Sequence, residues 1–565
     1  MRREIALGSQ DFAYLRENHC FYIDKTAFIR EWWDGKDAVT LITRPRRFGK
    51  TITMSMLDYF FSNRHAGRSD LFEGLEVWRE EEFRKLQGTY PVLFLSFAGI
   101  KEDTYEATRT RINQVISDVY RKFQWVKKQD FMTPNDRAFL EKVRDDMDDS
   151  VAAVTLQRLC GWLYEYFGKR CIILLDEYDT PMQEAYANGY WKELTTFIRS
   201  LFNNTFKTNP SMERAVLTGI TRVSRESVFS DLNNLRVVTT TTEIYATAFG
   251  FTEAEVFSSM DEMEIPEAEK AEVKKWYDGF TFGAVTDIYN PWSVLNYLNE
   301  KKIDTYWANT SENGLVGQLL RRGDSARKMQ FEELLRGGCI EVQLDEQIIF
   351  EQLDEDPDGI WSLLLAGGYL KYIEVMVGEE SELPIYRLSL TNLEVKRSFV
   401  KMVKGWFKKT REFGEFVSAM LEGDVKNMNR YMNRVALNTF SYFDTGKKPS
   451  EDAPERFYHG FVLGLLVDHA TDYIITSNRE SGFGRYDVVL EPRDKANPAV
   501  IMEFKVYDML DDETELSDTA DHALLQIEEK GYAADLLYRG IPEQSIFKYG
   551  IAFQGQQCLI KKGEV

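Results

Sequence analysis

Residues 41–53, LITRPRRFGKTIT, decide the fold. Val39, Leu41 and Ile42 make a short apolar run that reads as a buried strand. The run breaks at Arg44-Pro45, and Gly49-Lys50-Thr51 then leads into a helical pattern carried by Ile52, Met56, Leu57, Tyr59 and Phe60. A strand, a glycine turn and a helix in that order are the context of a phosphate-binding loop. Backbone N–H groups at the helix start cradle phosphate, Lys50 reaches the β/γ oxygens, and Thr51 holds Mg²⁺. The loop departs from the pattern G-x-x-x-x-G-K-[ST] at its first glycine, where this chain has Arg44. By itself a GKT recurs often by chance, so the reading requires a second part of a nucleotide site elsewhere in the chain.

Working outward, 565 residues allow three or four domains at roughly 150 residues each. No run of about 18 apolar residues marks a membrane span, and the charged start MRREIALGSQDF lacks the apolar core of a secretory signal. Cys20, Cys160, Cys171, Cys339 and Cys558 are scattered without a C-x-x-C pair, which points away from disulfides and zinc and towards the cytoplasm. A net charge of −21 disfavours broad non-specific adhesion to nucleic acid while leaving room for a local basic cleft. The histidines show no metal-type pairing.

Between residues 39 and 240 strand and helix patterns alternate. The strand candidates are VTLIT (39–43), PVLFLSF (91–97), CIILLDE (171–177), AVLTGIT (215–221) and VVTTTT (237–242). Short, apolar, β-branched runs separated by helices predict a parallel sheet covered on both faces. Before it, Asp24 is placed to cap the helix that comes after FYI. The acidic stretch 124–150 reads as a surface excursion. After it, Thr252 and Glu255 form a capping box opening a small helical lid over 251–300. Residues 301–400 include WSLLLAGGYLKYIEV and IYRLSL, a helix, glycine turn, strand, loop and strand that resemble a winged helix. Residues 401–455 read as a helical linker ending in the breaker-rich GKKPSEDAPE, and a separate small α/β domain fills 456–565. The N-terminal ATP-binding domain then spans 1–250.

The second part of a nucleotide site is an apolar strand ending in acid, and Ile172 to Glu177 supply it. Asp176 is expected to hold Mg²⁺ and Glu177 to orient the attacking water. Arg46, Phe48, Gly49, Lys50, Thr51 and Ile52 form the nucleotide-contacting loop. In TGITRVSRES (218–227), Thr218 or Thr221 is placed to sense the γ-phosphate, and Arg222 and Arg225 to neutralise transition-state charge. Arg44, Arg46 and Arg47 are a basic cluster that suits phosphate, a neighbouring subunit or a charged loop face equally.

The motifs DKT (24–26), RPRRFGKT (44–51), LLDEYD (174–179), TGITRVSRES (218–227) and YNPWSVLNYL (289–298), in this order, resemble the AAA-ATPase-like family of bacterial proteins over residues 1–300. That family accepts arginine in place of the first loop glycine. The resemblance implies an AAA-type ATP-binding fold using ATP and Mg²⁺, and a homo-oligomer in which a neighbour's arginine completes the site.

In the C-terminal domain, Asp487 heads the strand DVVLEP and the next strand, AVIMEFKV, carries Glu503 and Lys505 on one face. Two carboxylates on adjacent strands can share a divalent cation, and a lysine beside them can act on bound water and on a phosphodiester. Chance produces D…ExK often. The order helix, three strands, helix, strand resembles the PD-(D/E)XK nuclease superfamily, in which Asp487, Glu503 and Lys505 match the catalytic core and Gln526 an accessory glutamine, with Tyr532 a loose match to its tyrosine. Where the first helix often carries glutamate, this chain offers His459. The expectation is a restriction-endonuclease-like domain with Asp487 and Glu503 as metal ligands, joined to an ATP-dependent switch and acting on DNA rather than RNA, in defence or DNA processing. The rival is a regulatory ATPase whose C-terminal domain only binds nucleic acid or protein.

Overall fold

The computed structural model describes residues 3–222, 228–229, 232–307, 316–317, 319–320, 325–344, 359–376, 384–407, 411–433, 462, 464–465, 469, 471–480, 485–507, 513–554 and 557–563. The chain divides into two units, Met1–Glu312 with Glu341–Val395, and Asn313–Ile340 with Lys396–Val565.

In the first unit, β1 (Val39–Thr43), β2 (Val92–Ser96), β3 (Cys171–Asp176), β4 (Met212–Gly219) and β5 (Leu235–Val238) form one sheet of order β2-β3-β4-β1-β5. Every neighbouring pair is parallel. β1 and β3 are buried along their whole length, which is why their sequences are continuous apolar runs rather than alternating ones. Ile42, Ile172, Leu174 and Val216 pack with Met54, Leu57 and Phe60 of the helix Lys50–Phe61 in one core. The parallel strands bring the ends of β1, β3 and β4 to one edge, where ligands bind in open sheets of this kind. Asp24 does not cap its helix directly: the cap is Thr26, whose amide and hydroxyl both donate to Asp24, while the other carboxylate oxygen takes the Glu76 amide. The 124–150 excursion is pinned inward by buried Val126, Met132 and Met147.

The segment after residue 250 contains its capped helix Glu253–Glu262, with the Thr252–Glu255 box formed, then helices Lys270–Tyr277 and Pro291–Glu300. It also holds a small antiparallel sheet that the sequence pattern does not announce, β6 (Phe251–Thr252), β7 (Phe280–Phe282) and β8 (Val285–Tyr289), in the order β6-β8-β7. At its rim, burial and the neighbouring Asp287 push Asp278 up to about 7, while a bond from Lys274 draws Asp287 down. Folded Asp278 therefore keeps a proton that the unfolded chain has released, so its contribution to stability falls as pH rises from about 4 to about 7. Asp278→Asn is expected to raise the melting temperature at pH 8 and to leave it nearly unchanged at pH 4, as read by thermal denaturation at both pH values.

Helix Gly359–Ala366, a Gly367-Gly368 turn and the antiparallel strands β10 (Leu370–Met376) and β11 (Ile385–Leu390) come in the expected order, with β9 (Ile340–Gln343) completing a sheet β10-β11-β9. Gly368 sits at φ +80°, and a Cβ there would lie 2.7 Å from the Pro45 side chain. The turn is thus seated on the phosphate loop.

In the second unit, β12 (Tyr473–Glu480), β13 (Arg485–Pro492), β14 (Ala499–Val506), β15 (Ile546–Gln554) and β16 (Gln557–Lys562) form a sheet in sequence order. β14 and β15 are parallel and the other pairs antiparallel. The helix Leu516–Lys530 crosses between β14 and β15 and packs Leu524 and Ile527 onto Val489, Ile501 and Ile546. β16 is an addition to the expected order. In the helical stretch 425–433, the side-chain amides of Asn429 and Asn433 each exchange two hydrogen bonds with β16, at Ile560 and Cys558. Of the expected first helix of this domain, Val462, Gly464 and Leu465 are described and helical, with Val462 and Leu465 buried, while His459, like all of residues 434–461, lies outside the described residues.

Candidate functional sites

The phosphate loop encloses one side of a cavity of about 400 Å³ whose wall includes Arg46, Arg47, Phe48, Gly49, Lys50, Thr51, Ile52 and Glu177. Gly49, at φ 81°, precedes the helix that begins with Lys50. The Lys50 ammonium is folded back onto the loop, donating to the carbonyls of Arg44 (3.0 Å) and Pro45 (2.8 Å). Burial lowers its pKa, and Glu177, Asp176 and Asp179 oppose that shift. The Thr51 hydroxyl donates to Asp176 Oδ2 at 2.8 Å, and Thr218 donates to Oδ1 at 2.5 Å. Burial raises the pKa of Asp176 and these two hydroxyls counter it. A hydroxyl and a buried carboxylate in contact at the end of the loop are the donor set that Mg²⁺ beside phosphate requires, so the residues fit the ion.

Several expected members sit differently from their expected roles. Arg44, for which the sequence leaves phosphate, a neighbouring subunit and a charged loop face equally open, is not on the cavity wall. Its guanidinium is fully buried under the loop, donating to the carbonyls of Thr43 (2.9 Å), Thr239 (2.7 Å) and Tyr245 (3.4 Å), and it stacks 4.4 Å over the Phe282 ring. Burial drops its pKa to about 9, which still leaves it charged at neutral pH. The Phe48 ring turns away from the cavity and packs on Phe280 and Phe282 of the small sheet. Thr218 is buried behind Asp176; besides that bond, it accepts the Glu177 amide. Thr221 is bonded to Asp179. Arg222 comes after β4 and is not on the cavity wall, and Arg225 lies outside the described residues.

Three further participants, one each from the motifs LLDEYD, DKT and YNPWSVLNYL, have no individual role assigned from the sequence. Asp179 accepts the amides of Ile220 and Thr221, tying the ends of β3 and β4 together. Lys25 lines the cavity and pairs with Glu255 of the lid at 2.7 Å. Trp292, also on the wall, carries the Arg47 guanidinium 4.5 Å above its ring. The lid holds the loop at a further point, since Asn290 donates to the Arg46 carbonyl, which also accepts from the indole of Trp307. Arg47 (φ 64°) and Glu177 (φ 52°) occupy the left-handed region without being glycine, a strain of order 1 kcal/mol each that clusters at working sites.

In the second unit the strand register sets Asp487 directly opposite Glu503, with both side chains buried. Lys505, on the same face of β14, is half-buried. On its other side Glu503 is aligned with Gly550 of β15, where a Cβ would lie 2.2 Å from the Ala520 carbonyl. The absent side chain lets the helix Leu516–Lys530 lie close to the sheet, and Gln526 of that helix is buried beneath it. The helix also delivers Lys530, whose ammonium lies 3.3 Å from Asp487 Oδ2. Lys530 is four residues beyond Gln526 and so shares its face. The side chain of Tyr532, the looser match in the sequence, lies outside the described residues. Two carboxylates presented together suit Mg²⁺, which keeps most of its water and shares substrate oxygens. Among the described residues no group of three or more His, Cys, Asp or Glu side chains gathers as a metal site.

A parallel sheet with a glycine loop after β1 and an acid at the end of β3, one strand removed, fits an AAA-like domain, and the mixed sheet with D…ExK in register fits a nuclease-like one. Residues 6–229 match the family described as "Predicted AAA-ATPase", and residues 453–563 match the PD-(D/E)XK nuclease superfamily. The chain therefore carries an AAA-ATPase-like domain and, after it, a PD-(D/E)XK superfamily domain. It is also similar to a protein of Azotobacter chroococcum mcd 1 described as an uncharacterized protein in the vnfD 5′ region, with 25% identity over 553 residues, 96% of this chain and 95% of that one. Among the described residues no helix is long and apolar enough to cross a membrane.

Proposed function

We propose that this protein is an ATP-controlled, metal-dependent nuclease, cytoplasmic and homo-oligomeric, that cleaves DNA in preference to RNA. The observation that carries the reading is the register that sets buried Asp487 against Glu503 beneath a helix bearing Gln526. Asp487 and Glu503 would hold a divalent cation, which when bound supplies Lewis-acid chemistry at a phosphodiester. Lys505 places positive charge beside the scissile phosphate, and Gln526 orients an oxygen at the site with its buried amide.

In the other domain, Lys50 exchanges its two loop carbonyls for the β/γ-phosphates of ATP, Thr51 and Asp176 would hold Mg²⁺, and Glu177 orients the attacking water. Thr218 acts through Asp176, and Arg222 belongs to the same proposal as a charge-neutralising group. The Lys50 exchange releases the Pro45 carbonyl, and Pro45 is the residue on which the Gly368 turn rests. That contact supports a route from nucleotide state to the module of residues 341–395. A division into 1–250, 251–300, 301–400, 401–455 and 456–565 completes the proposal.

The test is cleavage of single- and double-stranded DNA and RNA with Mg²⁺ or Mn²⁺, with and without ATP. Lys505→Ala is expected to abolish cutting. Lys50→Ala is expected to weaken ATP binding at least tenfold, from charged hydrogen bonds of about 1.5–3 kcal/mol each, and to remove the effect of ATP on cutting. A wild-type protein that binds ATP but cuts none of these substrates would leave the regulatory ATPase as the function.

A further inference from the structure

The carboxylate pair has a cation of its own. Asp487 and Glu503 are 1% and 0% exposed, and two buried negative charges side by side require positive charge nearby. Lys530 brings an ammonium to 3.3 Å from Asp487 Oδ2. Its position is fixed: it is the last residue of the helix Leu516–Lys530, which stops at Gly531 in the left-handed conformation. The carbonyl end of a helix of this length favours a cation at that place. Its side chain keeps 21% of its surface exposed against 2% for Asp487, so the flexible stem has an opening to solvent that the carboxylate lacks.

We propose that Lys530 is the counter-ion of the metal-free carboxylate pair, that it yields its place to a divalent cation, and that its displaced ammonium then engages the scissile phosphate from the helix side. The inference rests on the nuclease reading above. A divalent ion between Asp487 and Glu503 repels an ammonium at hydrogen-bond distance, so the two do not share the carboxylate. Released, the ammonium stays tethered at the helix end, one turn from Gln526, and a phosphate entering at the metal is the nearest new anion. Lys530 in this way opposes binding of the bare ion and favours binding of ion and substrate together.

The experiment is Mn²⁺ titration of the full chain by calorimetry, alongside cleavage kinetics, for wild type, Lys530→Met, Lys530→Arg and Glu503→Gln, with melting curves to verify folding. Lys530→Met is expected to bind Mn²⁺ up to about fivefold tighter, the scale of a partly screened ion pair, while kcat for cleavage falls. Lys530→Arg is expected to return Mn²⁺ affinity towards wild type and to recover part of the cleavage. A lysine that merely braced the helix would not tighten metal binding when removed. Unchanged or weaker Mn²⁺ affinity in folded Lys530→Met, against a wild type whose binding is lost in Glu503→Gln, overturns the role of Lys530 alone. Wild-type binding that Glu503→Gln leaves untouched overturns the metal site, and the inference with it.

Discussion

Replacing Arg44 with glycine, which would restore the common phosphate-loop pattern, is expected to destabilise the nucleotide domain by on the order of 3 kcal/mol and to weaken ATP binding. The guanidinium supplies donors to three backbone carbonyls, those of Thr43, Thr239 and Tyr245. It thereby joins the end of β1 to the end of β5 and the segment beyond it. Glycine would remove these bonds, leaving the Thr239 and Tyr245 carbonyls only the long turn bonds from the Thr242 and Ala248 amides, 3.3 Å each, and would open a void beside Phe282 and Phe249. Lysine is not a substitute, because its single ammonium lacks the planar fork that reaches separated acceptors. Denaturant melts and ATP titrations of Arg44→Gly and Arg44→Lys decide the matter. A glycine variant as stable as wild type, with tighter ATP binding, would show that the arginine is only tolerated.

Glu503→Gln and Asp487→Asn are each expected to lower cleavage on the order of a thousandfold while leaving the chain folded. The amides keep the shape of the carboxylates and remove the charge a divalent cation needs. A fully buried carboxylate is costly to the fold, so Glu503→Gln is also expected to melt at a higher temperature than wild type. Losing activity while gaining stability is the mark of a residue kept for chemistry. Asp487→Asn has a mixed effect on stability, because it also breaks the pair with Lys530. Rates and melting curves measured on the same samples separate the two roles. Cleavage that survives in Glu503→Gln would remove this residue from the reaction.

The central sheet is legible in the sequence because parallel strands buried on both faces have to be apolar throughout, as VTLIT and CIILLD are. D…ExK is legible because period-two alternation fixes which side chains share a face, and the register opposes Asp487 to Glu503. The small sheet beside the lid helices is not legible: β6 and β7 are too short for a periodic signal and are held by packing with Phe48 and by pairing with β8. The role of Arg44 is hidden for a different reason. An arginine next to a phosphate loop reads as an anion ligand, and only the fold shows its side chain passing beneath the loop. Lys530 has a signal, four residues after Gln526 on a helix, which the nearby tyrosine obscures. Thr218 has the sequence position of a phosphate sensor, but its hydroxyl is bonded to Asp176.

The asparagine contacts on β16 have a consequence for assembly. An outer strand normally offers a row of amides and carbonyls to which another chain can add a strand. Here Asn429 and Asn433 occupy the Ile560 and Cys558 positions with donor and acceptor alike, imitating the ladder that a neighbouring strand would make. Sheet extension from this side would first have to strip away that helix. Among the described residues the other outer strand of this sheet is β12.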